Sequence, residues 1–112
     1  MLNGKVLLVE DNEDAGEVLS FLIEGAKYHI RWVKSREDAI EAMRRETYEF
    51  LVLDYSMPGM QMEEFLRLCS GPCKIILVSA ISDIEEQAKR LGIKHWLKKP
   101  YDPDKFLAML KK

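Results

Sequence analysis

Short apolar runs alternate with segments of helical period along the whole 112-residue chain, and this alternation limits the folds that it can adopt. The run KVLLVE at 5–10 has no polar alternation, which is typical of a parallel strand covered on both faces. Further strands are predicted at 28–34, 50–54, 74–80 and 95–99. The segment after the first strand has acids in its first turn, where the helix dipole favours them. Its apolar residues have helical spacing and predict this inward face: Ala15, Val18, Leu19, Leu22, Ile23 and Ala26.

Capping residues predict where the other helices begin and end. The predicted N-caps of the second, fourth and fifth helices are Ser35, Ser82 and Asp102. Glu85 is expected to complete a capping box with Ser82, and Gly92 to end that helix. The third helix is shorter, at 62–69, and the Gly-Pro pair at 71 and 72 is expected to end it.

Five strand-helix units in strict alternation predict a parallel sheet with helices on both faces. The chain is too short to close an eight-stranded barrel, so the sheet must be open. The predicted fold is therefore α/β, a flavodoxin-like doubly wound sheet with strand order 2-1-3-4-5 and five helices. In such a sheet ligands bind outside the carboxyl ends of the strands, where the strand order reverses, here between the first and third strands.

Composition predicts one globular domain, residues 1–112, because two domains would each have too little interior to bury. The net charge of −2 gives no general attraction to nucleic acid or membranes. The N-terminus is too polar for a signal sequence and no run reaches the length of a membrane span, so we expect a cytoplasmic protein. Cys69 and Cys73 lack the spacing and the partners of a zinc site, and we expect free thiols without a function.

Residues with reactive side chains stand where the predicted strands end. The first strand ends in Glu10 and Asp11, the third in Asp54, the fourth in Ser79, and the fifth in the Lys98-Lys99-Pro100 sequence. Each has an ordinary explanation by itself: a helix cap for the first two acids, a turn for the serine, surface charge for the lysines. Their coincidence at one edge of the sheet favours a functional site.

The chemistry that these groups suit is transfer of a phosphoryl group. Three carboxylates at close range repel one another unless a divalent cation lies among them, and hard oxygen ligands favour Mg²⁺. A carboxylate such as Asp54 can attack a phosphorus centre, while Lys99 and Ser79 offer a charge and a hydroxyl to the phosphoryl oxygens. The chain has no Gly-rich phosphate loop, so the phosphoryl donor must be a molecule that docks here.

Over essentially its whole length the chain resembles the receiver domain of two-component response regulators, and is similar to the single-domain chemotaxis type. The resemblance is carried by the motifs LLVEDN, VLDYSMPG, ILVSA and HWLKKPY. It implies that Asp54 is the phosphoacceptor and that Asp11 binds Mg²⁺ directly, with Glu10 acting through water. It also implies a metal contact from the backbone carbonyl of Ser56.

The same resemblance selects Lys99 over Lys98 and implies a cis peptide bond before Pro100. It implies that phosphorylation draws Ser79 inward and that Trp96 moves into the space vacated. The alternative for Trp96 is a fixed packing residue. The face formed by the fourth helix, fifth strand and fifth helix would then change for a downstream protein or for homodimerisation. The expected phosphoryl donor is a sensor histidine kinase or a phosphotransfer protein.

The chain departs from the family pattern where Met62 replaces a common glycine and where two segments, Asp54 to Ser79 and Ser79 to Lys99, are shorter than usual. We therefore expect a trimmed third helix or exit loop and a trimmed turn before the fourth helix. Ile81 is expected to hinder the water that hydrolyses the acyl phosphate, and Ser56 to contribute little to positioning it. The alternative functions are a degenerate receiver that docks partners without phosphorylation, and a small Mg²⁺-dependent phosphatase.

Overall fold

Five parallel strands form one sheet in the computed structural model of this chain, which describes residues 4–69 and 73–111. The strand order is β2-β1-β3-β4-β5, as predicted. The strands are β1 Lys5–Val9, β2 His29–Val33, β3 Phe50–Asp54, β4 Lys74–Ser79 and β5 His95–Lys98. The sheet therefore reverses its order between β1 and β3, which sets the position of the site.

Each strand is followed by a helix, which confirms the predicted strand-helix alternation. The helices are α1 Glu13–Gly25, α2 Arg36–Arg45, α3 Met62–Leu68, α4 Ile84–Leu91 and α5 Pro103–Met109. The caps of α2 and α5 are as predicted, since the side chains of Ser35 and Asp102 accept hydrogen bonds from the backbone N–H groups of Asp38 and Asp104. The predicted Gly-Pro end of α3 lies outside the described residues.

The start of α4 differs from the prediction. Its N-cap is Asp83 rather than Ser82, and no side-chain hydrogen bond caps the helix. Glu85 does not close a capping box but pairs with Lys89 one turn later, at 2.9 Å. Ser82 lies in the turn before the helix, one residue before the N-cap. The predicted end of α4 at Gly92 is confirmed, with the glycine in the left-handed region at φ 74°.

The two faces of the sheet each carry an apolar core. One core lies under α2, α3 and α4 and the other under α1 and α5, and β3 is buried along its whole length between them. The inward face of α1 is turned relative to the prediction: Val18 is 54% exposed, whereas Gly16 is buried. The reason is the indole ring of Trp32, which lies against Gly16. A Cβ added to the glycine would be 1.9 Å from the nearest ring atom, so only a glycine fits there.

No helix in residues 4–69 or 73–111 is long and apolar enough to cross a membrane.

Candidate functional site

The strand register brings the predicted site residues to one edge of the sheet. Val9 of β1 pairs with Leu53 of β3, so Glu10 follows beside Asp54. Ser79 of β4 pairs with Lys98 of β5, and the backbone N–H of Lys99 donates to the Ser79 carbonyl at 2.8 Å. Backbone hydrogen bonds of the sheet therefore set the positions of these strand ends relative to one another.

Three carboxylates form the centre of this edge, which we call the acidic pocket: Glu10, Asp11 and Asp54. One oxygen atom of each lies within 4.8 Å of the others. Glu10 is fully buried and Asp54 nearly so, whereas Asp11 is exposed. Neither Glu10 nor Asp11 caps α1, because Asn12 does so by accepting a hydrogen bond from Ala15 N–H at 2.8 Å. The helix-cap explanation of the two acids is therefore wrong.

The carboxylates are close enough to compete for a proton. Burial, together with the hydrogen bond to Glu10 and its negative charge, raises the pKa of Asp54 to about 7. Burial also opposes ionisation of Glu10, but hydrogen bonds from Asp54 and Lys99 outweigh it and lower the pKa of Glu10. Of these two acids, Asp54 is therefore the one whose ionisation its surroundings oppose. Crowded, hard oxygen donors of this kind fit a small divalent cation, which would relieve the repulsion.

Lys99 reaches into the acidic pocket from the end of β5. Its Nζ lies 2.9 Å from Glu10 Oε1 and 3.9 Å from Asp54 Oδ2, so its nearest partner is Glu10. The peptide bond between Lys99 and Pro100 is cis, as the family resemblance implied. Lys98, the other lysine of the pair, is exposed.

Two serine hydroxyls form a hydrogen bond beside Asp54. Ser79 is fully buried, and its Oγ lies 3.1 Å from Ser56 Oγ and 3.3 Å from the backbone nitrogen of Ile81, which donates to it. The backbone N–H of Ser56 donates to Asp54 Oδ1 at 3.1 Å. Sequence reasoning assigned Ser56 a backbone carbonyl for the metal and little effect on the attacking water, and it missed this side-chain contact. A hydroxyl at both positions was its only signal in the sequence.

Trp96 lies in β5, opposite Leu77, and is half-buried against the core under α2, α3 and α4. Ile81 packs against the same core. Cys69 and Cys73 are half-buried free thiols, and burial with the nearby Cys73 raises the pKa of Cys69 to about 12. Such a thiol stays protonated and unreactive at neutral pH.

Sequence reasoning missed two other residues at this edge. The indole N–H of Trp32 donates to the backbone carbonyl of Glu10 at 2.9 Å and so supports the end of β1. The guanidinium of Arg36 is buried and donates to carbonyls of the loop after β3. Arg36 had a usable signal, because a cation in the first turn of a helix opposes the helix dipole and requires another partner. For Trp32 there was no such signal, apart from a bulky side chain on a strand predicted near the edge of the sheet.

The fold and the acidic pocket define the class of the protein: a doubly wound α/β domain of the receiver type. The chain belongs to the response regulator receiver domain family, whose model matches residues 6–111. Receiver domains are signalling switches of two-component systems rather than classical enzymes, and membership implies interaction with a histidine kinase or a phosphotransfer partner.

Solved structures and curated proteins agree with this assignment. A CheY-like response regulator receiver domain from Methylobacillus flagellatus is 25% identical with a TM-score of 0.83, covering 98% of this chain and 97% of that one. The non-phosphorylated HemR receiver domain from Leptospira biflexa is 26% identical with a TM-score of 0.78, covering 96% and 91%. The cell cycle response regulator CtrA of Brucella ovis is 23% identical over 111 residues, which are 95% of this chain and 48% of that protein. The chain thus spans about half the length of the curated relatives that it matches.

Proposed function

We propose that this chain is the phosphoacceptor switch of a two-component phosphorelay and that Asp54 accepts the phosphoryl group. The observation that carries the proposal is the position of Asp54, nearly buried at the end of the central strand, with carboxylates on one side and Lys99 Nζ at 3.9 Å. An Asp54 oxygen attacks the phosphorus of a phosphohistidine, the P–N bond breaks, and the imidazole leaves with the electron pair and takes up a proton. The donor is a sensor histidine kinase or a phosphotransfer protein.

The acidic pocket would hold Mg²⁺ through Asp11, Asp54 and the backbone carbonyl of Ser56, with Glu10 acting through water. Support comes from the convergence of three carboxylate oxygens and from the raised pKa of Asp54, which burial and the adjacent Glu10 produce. The ion, when bound, supplies positive charge that favours ionised Asp54 and neutralises the phosphoryl oxygens. A set of oxygen ligands that leaves positions open for water is typical of Mg²⁺ sites.

Lys99 and Ser79 would stabilise the phosphoryl group once it is attached to Asp54. Lys99 Nζ lies 2.9 Å from Glu10 in this structure, and it needs to move little more than 1 Å to come within hydrogen-bond distance of Asp54 Oδ2. Ser79 would donate its hydroxyl to a phosphoryl oxygen. To do so, it must exchange the hydrogen bond with Ser56 for one to the phosphoryl group. That exchange is the first event that phosphorylation would impose on the protein.

The signal would then pass to the face formed by α4, β5 and α5. Ser79 lies in register with β5, and Trp96 lies two residues before Lys98 on the same strand. Movement of Ser79 would therefore displace β5, and Trp96 would rotate toward the space that Ser79 leaves. The reshaped face binds a downstream protein or a second copy of the chain. We place these events in the cytoplasm and assign this domain no contact with membranes or nucleic acid.

The experiment that tests this function is phosphorylation by a small donor. The protein is incubated with acetyl phosphate and Mg²⁺, and separately with beryllofluoride, and its mass and Trp fluorescence are followed beside an Asp54→Asn control. An adduct on the wild type that is absent from Asp54→Asn supports the switch. Absence of any adduct under all conditions leaves a docking module that acts without phosphorylation. Turnover of an unrelated phosphoester points to a phosphatase.

A further inference from the structure

Arg36 is a buried cation with an unusual set of partners. It is the first residue of α2 and only 3% exposed. Its Nη1 donates to the Met60 carbonyl at 2.6 Å and to the Met57 carbonyl at 3.2 Å, while Nη2 donates to the Tyr55 carbonyl at 2.8 Å. All three carbonyls belong to the loop of residues 55–61 that joins β3 to α3, which we call the β3–α3 loop.

Within residues 4–69 and 73–111 no carboxylate forms an ion pair with Arg36. Removing a guanidinium from water without an opposite charge is unfavourable, and burial lowers the pKa of Arg36 while the negative charge of Asp54 raises it. The three carbonyls of the loop and the negative charges nearby, that of Asp54 first, offset this cost. These bonds tie the start of α2 to three peptide groups of the loop, so that Arg36 and the loop restrain each other.

The hydrogen bonds of Arg36 restrain the residues on both sides of Ser56 in the chain. The carbonyls on either side of it in the chain, those of Tyr55 and Met57, are both held, and the Ser56 N–H is fixed to Asp54 Oδ1 at 3.1 Å. Because each peptide group is planar, fixing the neighbouring groups leaves the Ser56 carbonyl few orientations. Among the described residues, no hydrogen bond is donated to that carbonyl.

We propose that Arg36 is a positioning residue of the metal site: it fixes the β3–α3 loop so that the Ser56 carbonyl is presented to the cation. The inference rests on the proposed function, since it takes Ser56 as a ligand of Mg²⁺. Groups that orient the ligands of a metal typically change affinity about 10- to 100-fold when they are removed. The planar fork of arginine can hold carbonyls on different peptide groups at once, whereas the single ammonium of lysine cannot keep this geometry.

The test compares Arg36→Met and Arg36→Lys with the wild type by Mg²⁺ titration followed through Trp fluorescence, and by hydrogen exchange of the amides at 55–61 without metal. Ile23→Ala serves as a control for lost stability, because Ile23 is fully buried at the far end of α1 in the other core. All measurements are made below the melting transition of every variant. We expect the dissociation constant for Mg²⁺ to rise about tenfold in both Arg36 variants, with faster exchange in the loop, and to be unchanged in Ile23→Ala.

The lysine variant separates positioning from charge. If Arg36 acted only through its charge, removing a cation would tighten Mg²⁺ binding in Arg36→Met, and Arg36→Lys would match the wild type. Either of these results overturns the inference, as does wild-type exchange in the loop of Arg36→Met. A wild type that binds no Mg²⁺ at millimolar concentration overturns the proposed metal site itself. Normal Mg²⁺ binding by Arg36→Met with normal phosphorylation overturns the inference alone.

Discussion

The loops after β3 and after β4 both border the acidic pocket, yet they are held in different ways. The β3–α3 loop is fixed by three hydrogen bonds from buried Arg36 and by the bond from Ser56 N–H to Asp54. The loop from Ala80 to Asp83, which we call the β4–α4 loop, has exposed residues at 80, 82 and 83 and leads into a helix without a side-chain cap. Its contact with the pocket is the bond from Ile81 N–H to Ser79.

The comparison separates two requirements of a switch. A site that binds a cation and a phosphoryl group gains from ligands that are already in place, because their ordering then costs nothing at the moment of binding. An element that changes shape on binding must have a second conformation whose free energy lies within a few kcal/mol of the first. The tightly held β3–α3 loop suits the first requirement, and the sparsely held β4–α4 loop suits the second.

The largest effect is expected next to the β3–α3 loop, in the variant Asp54→Asn. Burial and Glu10 raise the pKa of Asp54 to about 7 in the folded chain, whereas an unfolded carboxyl has a pKa of about 4. Ionised Asp54 therefore destabilises the fold; this penalty is absent below the unfolded pKa, grows as the pH rises, and is complete above the folded pKa. Asp54→Asn should be more stable than the wild type at pH 8 without metal, on the order of 2 kcal/mol, and equal to it near pH 4.

Thermal unfolding in a chelating buffer at several pH values checks this prediction. The expected gain at pH 8 corresponds to about 10 °C in melting temperature. Asp14→Asn, which removes an exposed acid of α1, is the control for a change in net charge. A gain of the same size in Asp14→Asn, or no gain in Asp54→Asn at pH 8, would show that the pocket stores no electrostatic strain.

The second prediction concerns the β4–α4 loop, through Ile81→Ala. Ile81 is half-buried, and its backbone N–H donates to the Ser79 hydroxyl. The family resemblance implies that its side chain flanks the approach of water to a phosphoryl group on Asp54. Removing the side chain should speed hydrolysis of the phosphorylated protein about tenfold, a difference of about 1.4 kcal/mol in activation free energy. Loss of the phosphorylated mass after removal of the donor measures the rate. Ile81→Val should remain close to the wild type, and an unchanged rate in Ile81→Ala would contradict the prediction.

A smaller effect is expected where the two loops meet, in Ser56→Ala. The hydroxyl bond between Ser56 and Ser79 is worth about 0.5–1 kcal/mol and must break before Ser79 can reach the phosphoryl group. Ser56→Ala should therefore accept phosphate from acetyl phosphate about two- to fivefold faster, with little change in hydrolysis. The rate of mass gain measures this, with the exposed Ser82→Ala as control. Slower phosphorylation would mean that the bond helps to form the site.

The smallest effect is expected at the far end of α4, in Arg90→Met. Arg90 donates to Glu63 at 2.6 Å and to Gln87 at 2.8 Å, and reaches the Tyr55 hydroxyl at 3.4 Å, so it links α4 to α3 and to the held loop. Arg90 and Glu63 are exposed, and exposed ion pairs contribute little to stability. The melting temperature should change by less than about 2 °C, while amides of α4 exchange a few-fold faster. Equal exchange in α4 would show that this link restrains nothing.

The alternation of apolar runs and helical segments was enough to predict the strand order and the edge at which Glu10, Asp54 and Ser79 gather. It was enough because the carboxyl ends of parallel strands must lie together, whatever the loops do. The start of α4 was wrongly predicted because Ser82 and Asp83 are both acceptable caps and the turn geometry decides between them.

The contacts that hold the loops could not be predicted in the same way. The Ser56–Ser79 bond and the Arg36 bonds depend on side-chain torsions and on backbone directions outside regular structure. The turned face of α1 depends on one close approach between Gly16 and Trp32, two residues that no periodicity connects. The roles of the site residues follow from the family resemblance and stay predictions until the experiments above are made.

The strand register also explains how a chain with shortened segments can keep a complete acidic pocket. Side chains alternate between the faces of a sheet, so a one-residue insertion within β3 would send Asp54 to the opposite face. Residues lost from a helix, or from a turn that leads from a helix into the next strand, change neither the register nor the strand ends. Shortening at those positions would therefore leave the reactive groups of the acidic pocket together.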